Sequence, residues 1–200
     1  MTLMSPHHFY ESDYFISYRD ELIERYNEKH RYYHNMWHIN DMLNLSTICH
    51  PANVGAINLM IWYHDAIYDP TRTDNEERSA ELATEHLKDK LDPNDVEYIT
   101  TGILLTKHTF SSRFLSFDLA ILIDCDLYIL SHDWYYKMYA RNIRKEYSYL
   151  TDGQYIKGRI DFLEKMLKKS NWYSQFKDRN IKAEKNMKME LEKLKKDEML

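Results

Sequence analysis

The chain has 200 residues and a formal net charge of −5, with 27 Lys+Arg against 32 Asp+Glu; this is the size of one domain with a sizeable core, and no basic stripe is present of the kind that bulk DNA or RNA requires. Four glycines and four prolines, about a third of average usage, leave few residues to end helices or shape hairpin turns. Two cysteines, Cys49 and Cys125, are too few for a disulfide framework, and with neither a leader pattern at the N-terminus nor a charge-free apolar run of about 18 residues the expectation is a soluble, cytoplasmic protein with no membrane partner.

In chain order, Ser12 is placed to cap a first helix in which Phe15, Tyr18, Leu22 and Tyr26 recur three or four apart, the spacing of one buried face. A second helix is predicted from Asn35 to Cys49 with His38, Met42, Leu45 and Cys49 on one face, and His34 lies one turn before His38. Pro51 suits the N1 position of a third helix, whose residues ANVGAINLMIWYHDAIY are apolar nearly all round, the pattern of a buried central helix. His64 and Asp65 arrive at its end, where a charged carboxylate is costly unless paired or bound to a metal. Asp74 and Glu77 have the spacing of a capping box for a fourth helix that packs Ala80, Ala83 and Leu87. Asp92 with Pro93 opens a fifth, with Val96, Ile99, Ile103 and Leu104 inward and Lys107 and His108 at its end.

The run SFDLAILIDCDLYILSH then embeds Asp124 and Asp126 in an otherwise apolar helical segment. Two acids there need an explanation, and because they stand two apart on a helix they point about 200° apart and cannot share one site. Asp133 is placed to cap a helix through Leu150, and a further helix is predicted from about Asp152 to Lys169. The last segment, from about Lys177, is highly charged but keeps Ile181, Met187, Leu191 and Leu194 near heptad spacing. No strand-like alternation of useful length occurs. The predicted fold is therefore all-α, a helical bundle over residues 1–176 with a charged C-terminal helix over 177–200 that docks on the domain or pairs with a second copy in a homodimer.

The stretch Arg31 to Asp69 carries the chemistry. His34 and His38 at its start and the doublet His64-Asp65 near its end supply imidazole and carboxylate, donors that suit a divalent metal of the zinc, iron or manganese type. A histidine, a His-Asp doublet some tens of residues later and a distant aspartate in a helical run resemble the signature of the HD-domain metal-dependent phosphohydrolases. The chain is most similar to a small family of predicted HD-superfamily phosphohydrolases through RYYHNMWHI, WYHDAIYDP, DNEERSA, IDCDL, IRKEY and GRIDFL, phrases that run from Arg31 to Leu163.

That resemblance implies an HD-domain-like bundle in which His38, His64, Asp65 and Asp126 hold one divalent ion (Mn, Fe, Co, Ni, Zn or Mg). It implies hydrolysis of a phosphomonoester or phosphodiester of a small, nucleotide-like molecule by a metal-bound hydroxide. His34 resembles the first histidine of the Tyr-His-Asn-x-x-His phrase of cyclic-nucleotide phosphodiesterases, where it protonates the leaving oxygen. Those enzymes carry a second histidine four residues after that of the doublet, where this chain has Tyr68, so a two-metal site is not expected. Residue type and family pattern together assign Glu76 to orienting the attacking water and Arg31, Lys107 and Arg144 to phosphate oxygens; the remaining histidines, His108 among them, receive no metal role. The competing expectations are a cyclic-nucleotide phosphodiesterase and a non-catalytic module that senses a nucleotide or metal.

Overall fold

Side-chain caps start most of the helices, and the apolar spacing of each decides which face it buries. The computed structural model describes residues 3–108, 115–169, 173 and 176–200. In chain order the helices are α1 (Pro6–Tyr10), α2 (Asp13–Tyr26), α3 (Met36–Cys49), α4 (Val54–Tyr63), α5 (Asn75–Leu87), α6 (Pro93–Leu105), α7 (Phe117–Asp126), α8 (Tyr135–Glu146), α9 (Asp152–Leu167) and α10 (Asn180–Leu194). A 3-10 turn, Leu127–Ser131, continues α7, and another, Lys177–Arg179, leads into α10. No strand occurs among the described residues, where the one extended pairing is an isolated bridge between Met4 and Leu91. The fold is all-α, and no described helix is long and apolar enough to cross a membrane.

Two apolar cores meet along a seam. The first gathers Leu22 and Tyr26 of α2, Ile39 and Met42 of α3, most of α4, and the inward faces of α5 and α6. The second gathers Leu127, Ile129 and Leu130 of the 3-10 turn with Tyr139 and Ile143 of α8, Leu163 of α9 and Met187 of α10. Helix α7 serves both, giving Leu119, Ile121 and Leu122 to the first core and Ile123 to the second. The expected burial of α4 is complete over Gly55–Ile57 and Leu59–Tyr63. The loop before it is held by Asp118, whose buried carboxylate accepts the amides of Ala52 and Asn53, both at 2.8 Å.

Several local expectations give way to tertiary partners. Helix α1 has no counterpart in the sequence reading, although Ser5 accepts from the His8 amide and Pro6 occupies N1; five residues are too few to show a period. Helix α4 begins at Val54 under an Asn53 cap rather than at Pro51, because His50 takes a left-handed turn (φ 52°) after α3. The Asp74–Glu77 box does not form: Arg72 holds Asp74 and Lys107 holds Glu77. Asp133 stands opposite Lys182 at 3.7 Å while Trp134 precedes α8, which stops at Glu146 because Arg144 binds the carbonyls of Tyr147 and Leu150. Leu104 is partly exposed, and Gly102 takes the inward place against Met60. Ile181 faces solvent and Ala183 packs in its place, while Met187 and Leu194 are buried as expected, making α10 a wall of the second core.

Helix α1 crosses α4 so closely that a Cβ on Gly55 would lie 2.3 Å from the backbone nitrogen of His7. Backbone cannot yield as a flexible side chain does, so Gly55→Ala is expected to lower the unfolding free energy by about 1 to 3 kcal/mol, the usual cost of forced overpacking. A urea titration followed by circular dichroism measures it, and an unchanged midpoint would show that α1 can lift away at no cost.

Candidate functional site

The site is built on the way α4 ends. The last carbonyls of a helix have no partner within it, and here each finds another. Met60 accepts the His64 amide at 2.9 Å, Ile61 the His64 ring Nδ1 at 2.9 Å, Trp62 the Tyr26 hydroxyl at 3.0 Å, and Tyr63 the Ala66 amide at 3.0 Å. Because a carbonyl only accepts, Nδ1 of His64 carries the proton, and the neutral ring presents the Nε2 lone pair, the form a metal takes. The next two free carbonyls, of Asp65 and Ala66, accept from Arg31 at 2.6 and 2.9 Å.

Four side chains converge at this point. His38, His64 and Asp65 each bring one donor atom to within 4.8 Å of the other two. The Nε2 atoms of His38 and His64 are 3.3 Å apart, and Asp65 Oδ2 is 3.1 Å from His64 Nε2. Asp126 Oδ1 lies 3.2 Å from His38 Nε2 and 3.8 Å from His64 Nε2. For bonds of about 2.0 to 2.2 Å, neighbouring ligands of a tetrahedral or octahedral ion are about 2.8 to 3.6 Å apart, so all but the last separation have the length of a coordination edge, and the donor set fits a divalent cation. Of the two acids in IDCDL, Asp126 is the one turned into the cluster; Asp124 is buried elsewhere and accepts the Phe176 amide at 3.1 Å.

The electrostatics ask for a cation. Burial opposes protonation of His64, yet Asp65 and Asp126 outweigh it and lift its pKa to about 9. Burial likewise works against the charged forms of Asp65 and Asp126, but the imidazoles hold both carboxyls below the usual range: His64 acts on Asp65, and His108 and His38 act on Asp126. Without a metal, protons supply that positive charge.

Beside the cluster stands a second unit. His34, its ring 6.1 Å from that of His38, donates Nδ1–H to Glu146 Oε2 at 2.7 Å. Glu146 is buried and accepts three more hydrogen bonds, from the amides of Tyr33 (2.6 Å) and His34 (3.0 Å) and from the Tyr68 hydroxyl (2.8 Å). Burial alone would depress the His34 pKa, but the Glu146 carboxylate prevails and raises it. Tyr68, standing where the phosphodiesterases have a histidine, covers the His34 ring at 4.3 Å. The sequence reading missed Glu146, although it follows Tyr136, Tyr139 and Ile143 at the buried-face spacing of α8, the one acid in that apolar stripe. It also left out His108, whose Nε2 holds Asp126 Oδ2 at 2.8 Å.

A cavity of about 550 Å³ opens over both units along the seam. Glu76 and Lys107 line it, with burial and the nearby Asp65 raising the Glu76 pKa. Lys107 shares its ammonium between Glu77 (2.5 Å) and the Thr73 carbonyl (2.7 Å). Arg31 and Arg144 do not line it, which corrects their assignment to phosphate. Arg31 is buried and spent on Glu28 and the carbonyls of His34, Asp65 and Ala66, and Arg144 on Asp152 and two turn carbonyls. The cations that do line it with Lys107 are Arg72, Arg159 and Lys165.

Comparison of the chain with protein-family models, with curated proteins and with solved structures finds no match.

The geometry separates the two acids of α7 experimentally. Titration of the purified protein with Mn²⁺ or Zn²⁺ is expected to show one tight site that raises the melting temperature, since an ion present at 100 times its Kd adds about 2.7 kcal/mol to stability. Asp126→Ala should abolish that rise, whereas Asp124→Ala should lower the starting melting temperature and keep it. Retention of the rise in Asp126→Ala would remove this carboxylate from the ion's ligands.

Proposed function

We propose that the chain is a metal-dependent phosphohydrolase of the HD type, acting on a phosphomonoester or phosphodiester of a small organic molecule. The observation that carries this reading is the convergence of His38, His64 and Asp65, with Asp126 3.2 Å from His38, beneath a cavity that His64, Asp65, Asp126 and His34 line. A divalent ion held by those four would supply an activated water and positive charge for phosphoryl oxygens.

The protein's own groups do the rest. Phosphate esters resist hydrolysis because their oxygens repel the nucleophile and because the departing alkoxide is a poor leaving group. His34 answers the second difficulty. Its Nδ1 is fixed to Glu146, which leaves Nε2 for the cavity and keeps the ring protonated to a higher pH than an ordinary histidine, as a general acid near neutrality must be. Tyr68 and the two backbone amides hold the carboxylate in turn, so neither partner of the pair has freedom to rotate. Glu76, which lines the cavity and has a raised pKa, would accept a proton from the attacking water. Lys107, held by Glu77, and Arg72, held by Asp74, are cationic groups on the wall, and each would exchange its carboxylate for a phosphoryl oxygen.

Turnover of phenyl phosphate with added manganese, lost on adding a chelator, is the expected result; tight metal binding without turnover of any phosphoester would favour a sensing module. His34→Ala is expected to keep metal affinity while slowing hydrolysis by about 10² to 10⁴, the range for a lost general acid. The defect should be large for an alkyl phosphate, whose leaving oxygen is basic, and small for a nitrophenyl phosphate. Equal defects on both would assign His34 to positioning, and loss of metal would make it a ligand.

A further inference from the structure

The cavity is far larger than a phosphoryl group requires; at about 550 Å³ it has the size of a site for a whole small molecule. Its two sides differ. The His/Asp cluster, Glu76 and Lys107 form one, at the helix ends of the first core, and the other belongs to the second core. There Leu127, Ile129 and Leu130, directly after Asp126, face Tyr139 and Ile143 of α8 and Phe162 of α9. Two cations stand on this side: Lys165 at the end of α9, and Arg159, which is already satisfied, binding both oxygens of Glu190 at 2.9 and 3.1 Å and donating to the Tyr139 hydroxyl at 3.3 Å.

A nucleobase is told from other rings by paired donors and acceptors of amide or carboxylate type. Among the described lining residues the amide side chain is that of Asn75. Its Oδ1 accepts the Asp69 amide at 3.0 Å and its Nδ2 donates to the Asp69 carbonyl at 2.9 Å, so it is fully engaged in closing its own loop. The apolar side thus offers area and aromatic faces but no amide to read a base.

We propose that this chamber holds an apolar, aromatic group of the substrate, so that the ester cleaved is an aryl or arylalkyl phosphate recognised by shape and burial rather than a nucleotide recognised by its base. The assignment of the phosphoryl end rests on the phosphohydrolase reading above; the assignment of the organic end rests on the wall.

Phosphonates have no ester bond to cleave, so they report binding alone. The full-length protein in manganese is titrated calorimetrically with methylphosphonate, benzylphosphonate and adenosine monophosphate. Benzylphosphonate is expected to bind about 10 to 100 times more tightly than methylphosphonate, the range that burying one phenyl ring gives, and at least about tenfold more tightly than the nucleotide by the same accounting. Gly158 lines the chamber from α9, and a Cβ there meets nothing within 4 Å, so the side chain of Gly158→Phe starts into open space; by adding bulk to the chamber it should cut the benzyl-to-methyl affinity ratio about tenfold. Circular dichroism and the melting temperature check that the variant is folded. Equal affinities for the two phosphonates, no measurable benzylphosphonate binding, tighter nucleotide binding, or an unchanged ratio in folded Gly158→Phe would each overturn the proposal. Benzylphosphonate selectivity without hydrolysis of phenyl phosphate would sink the phosphohydrolase reading and leave the chamber standing; nucleotide hydrolysis without a benzyl advantage would do the reverse.

Discussion

Two carboxylates, Asp65 and Asp126, are brought against two imidazoles at the seam between two apolar cores, and the surroundings of the site answer to that fact. Buried charge is tolerated only with a partner of opposite sign and with its remaining hydrogen bonds made. The partners here are His38 and His64 on the inner side and His108 on the second oxygen of Asp126. A metal would meet the same demand with a larger charge, while releasing the imidazoles to their neutral form.

Holding four heads at these distances requires the backbone behind them to be fixed, and here it is fixed by satisfying main-chain groups rather than by long-range packing alone. The C-terminus of α4 would leave its carbonyls unpaired beside a core. Tyr26 and the His64 ring take two of them, and Arg31 takes the carbonyls of Asp65 and Ala66 just beyond, where a cation also suits the helix dipole. Arg31 in turn rests on the ring faces of Tyr26 and Tyr68. The chain just after it is tied to α8 by Glu146, whose four accepted hydrogen bonds come from residues 33, 34 and 68. Ser79 of α5 exchanges hydrogen bonds with both backbone groups of Ile67, at 3.0 and 3.3 Å. The loop that follows the His-Asp doublet is therefore gripped from both sides.

The seam also explains why one face of the cavity gathers the ionisable cluster and the other is mostly apolar. Helices α4 and α6 end there, so the first core contributes side chains from helix termini: His64, Asp65, Lys107 and His108. The second core contributes the flanks of α8 and α9 and the 3-10 turn, which show mostly apolar side chains beside Arg159 and Lys165. An apolar wall facing ionised groups lowers the local dielectric and strengthens each electrostatic contact made inside.

Much of this was written locally. Ser12 and the spacing Phe15–Leu22–Tyr26 set α2, Asp92-Pro93 set α6, and the all-round apolar run set α4 as the central helix, because caps and periodicity act within a few residues. His38, His64 and Asp65 stood out by residue type and spacing, since a charged acid at the end of an apolar helix has few alternatives to a partner, whereas the choice of Asp126 over Asp124 rested on the family resemblance. What only tertiary structure decided was the destination of long or multivalent side chains. Arg31 and Arg144 carry the same guanidinium as a phosphate clamp, yet the carbonyls near them in space claim it. Asp74 lost its cap to Arg72, and Glu146, an acid on an apolar stripe, acquired its meaning only when α8 was laid against residues 33 and 34. A guanidinium or carboxylate binds whichever partners the fold brings within about 3 Å, and that choice lies between elements distant in the chain, beyond the reach of any local pattern.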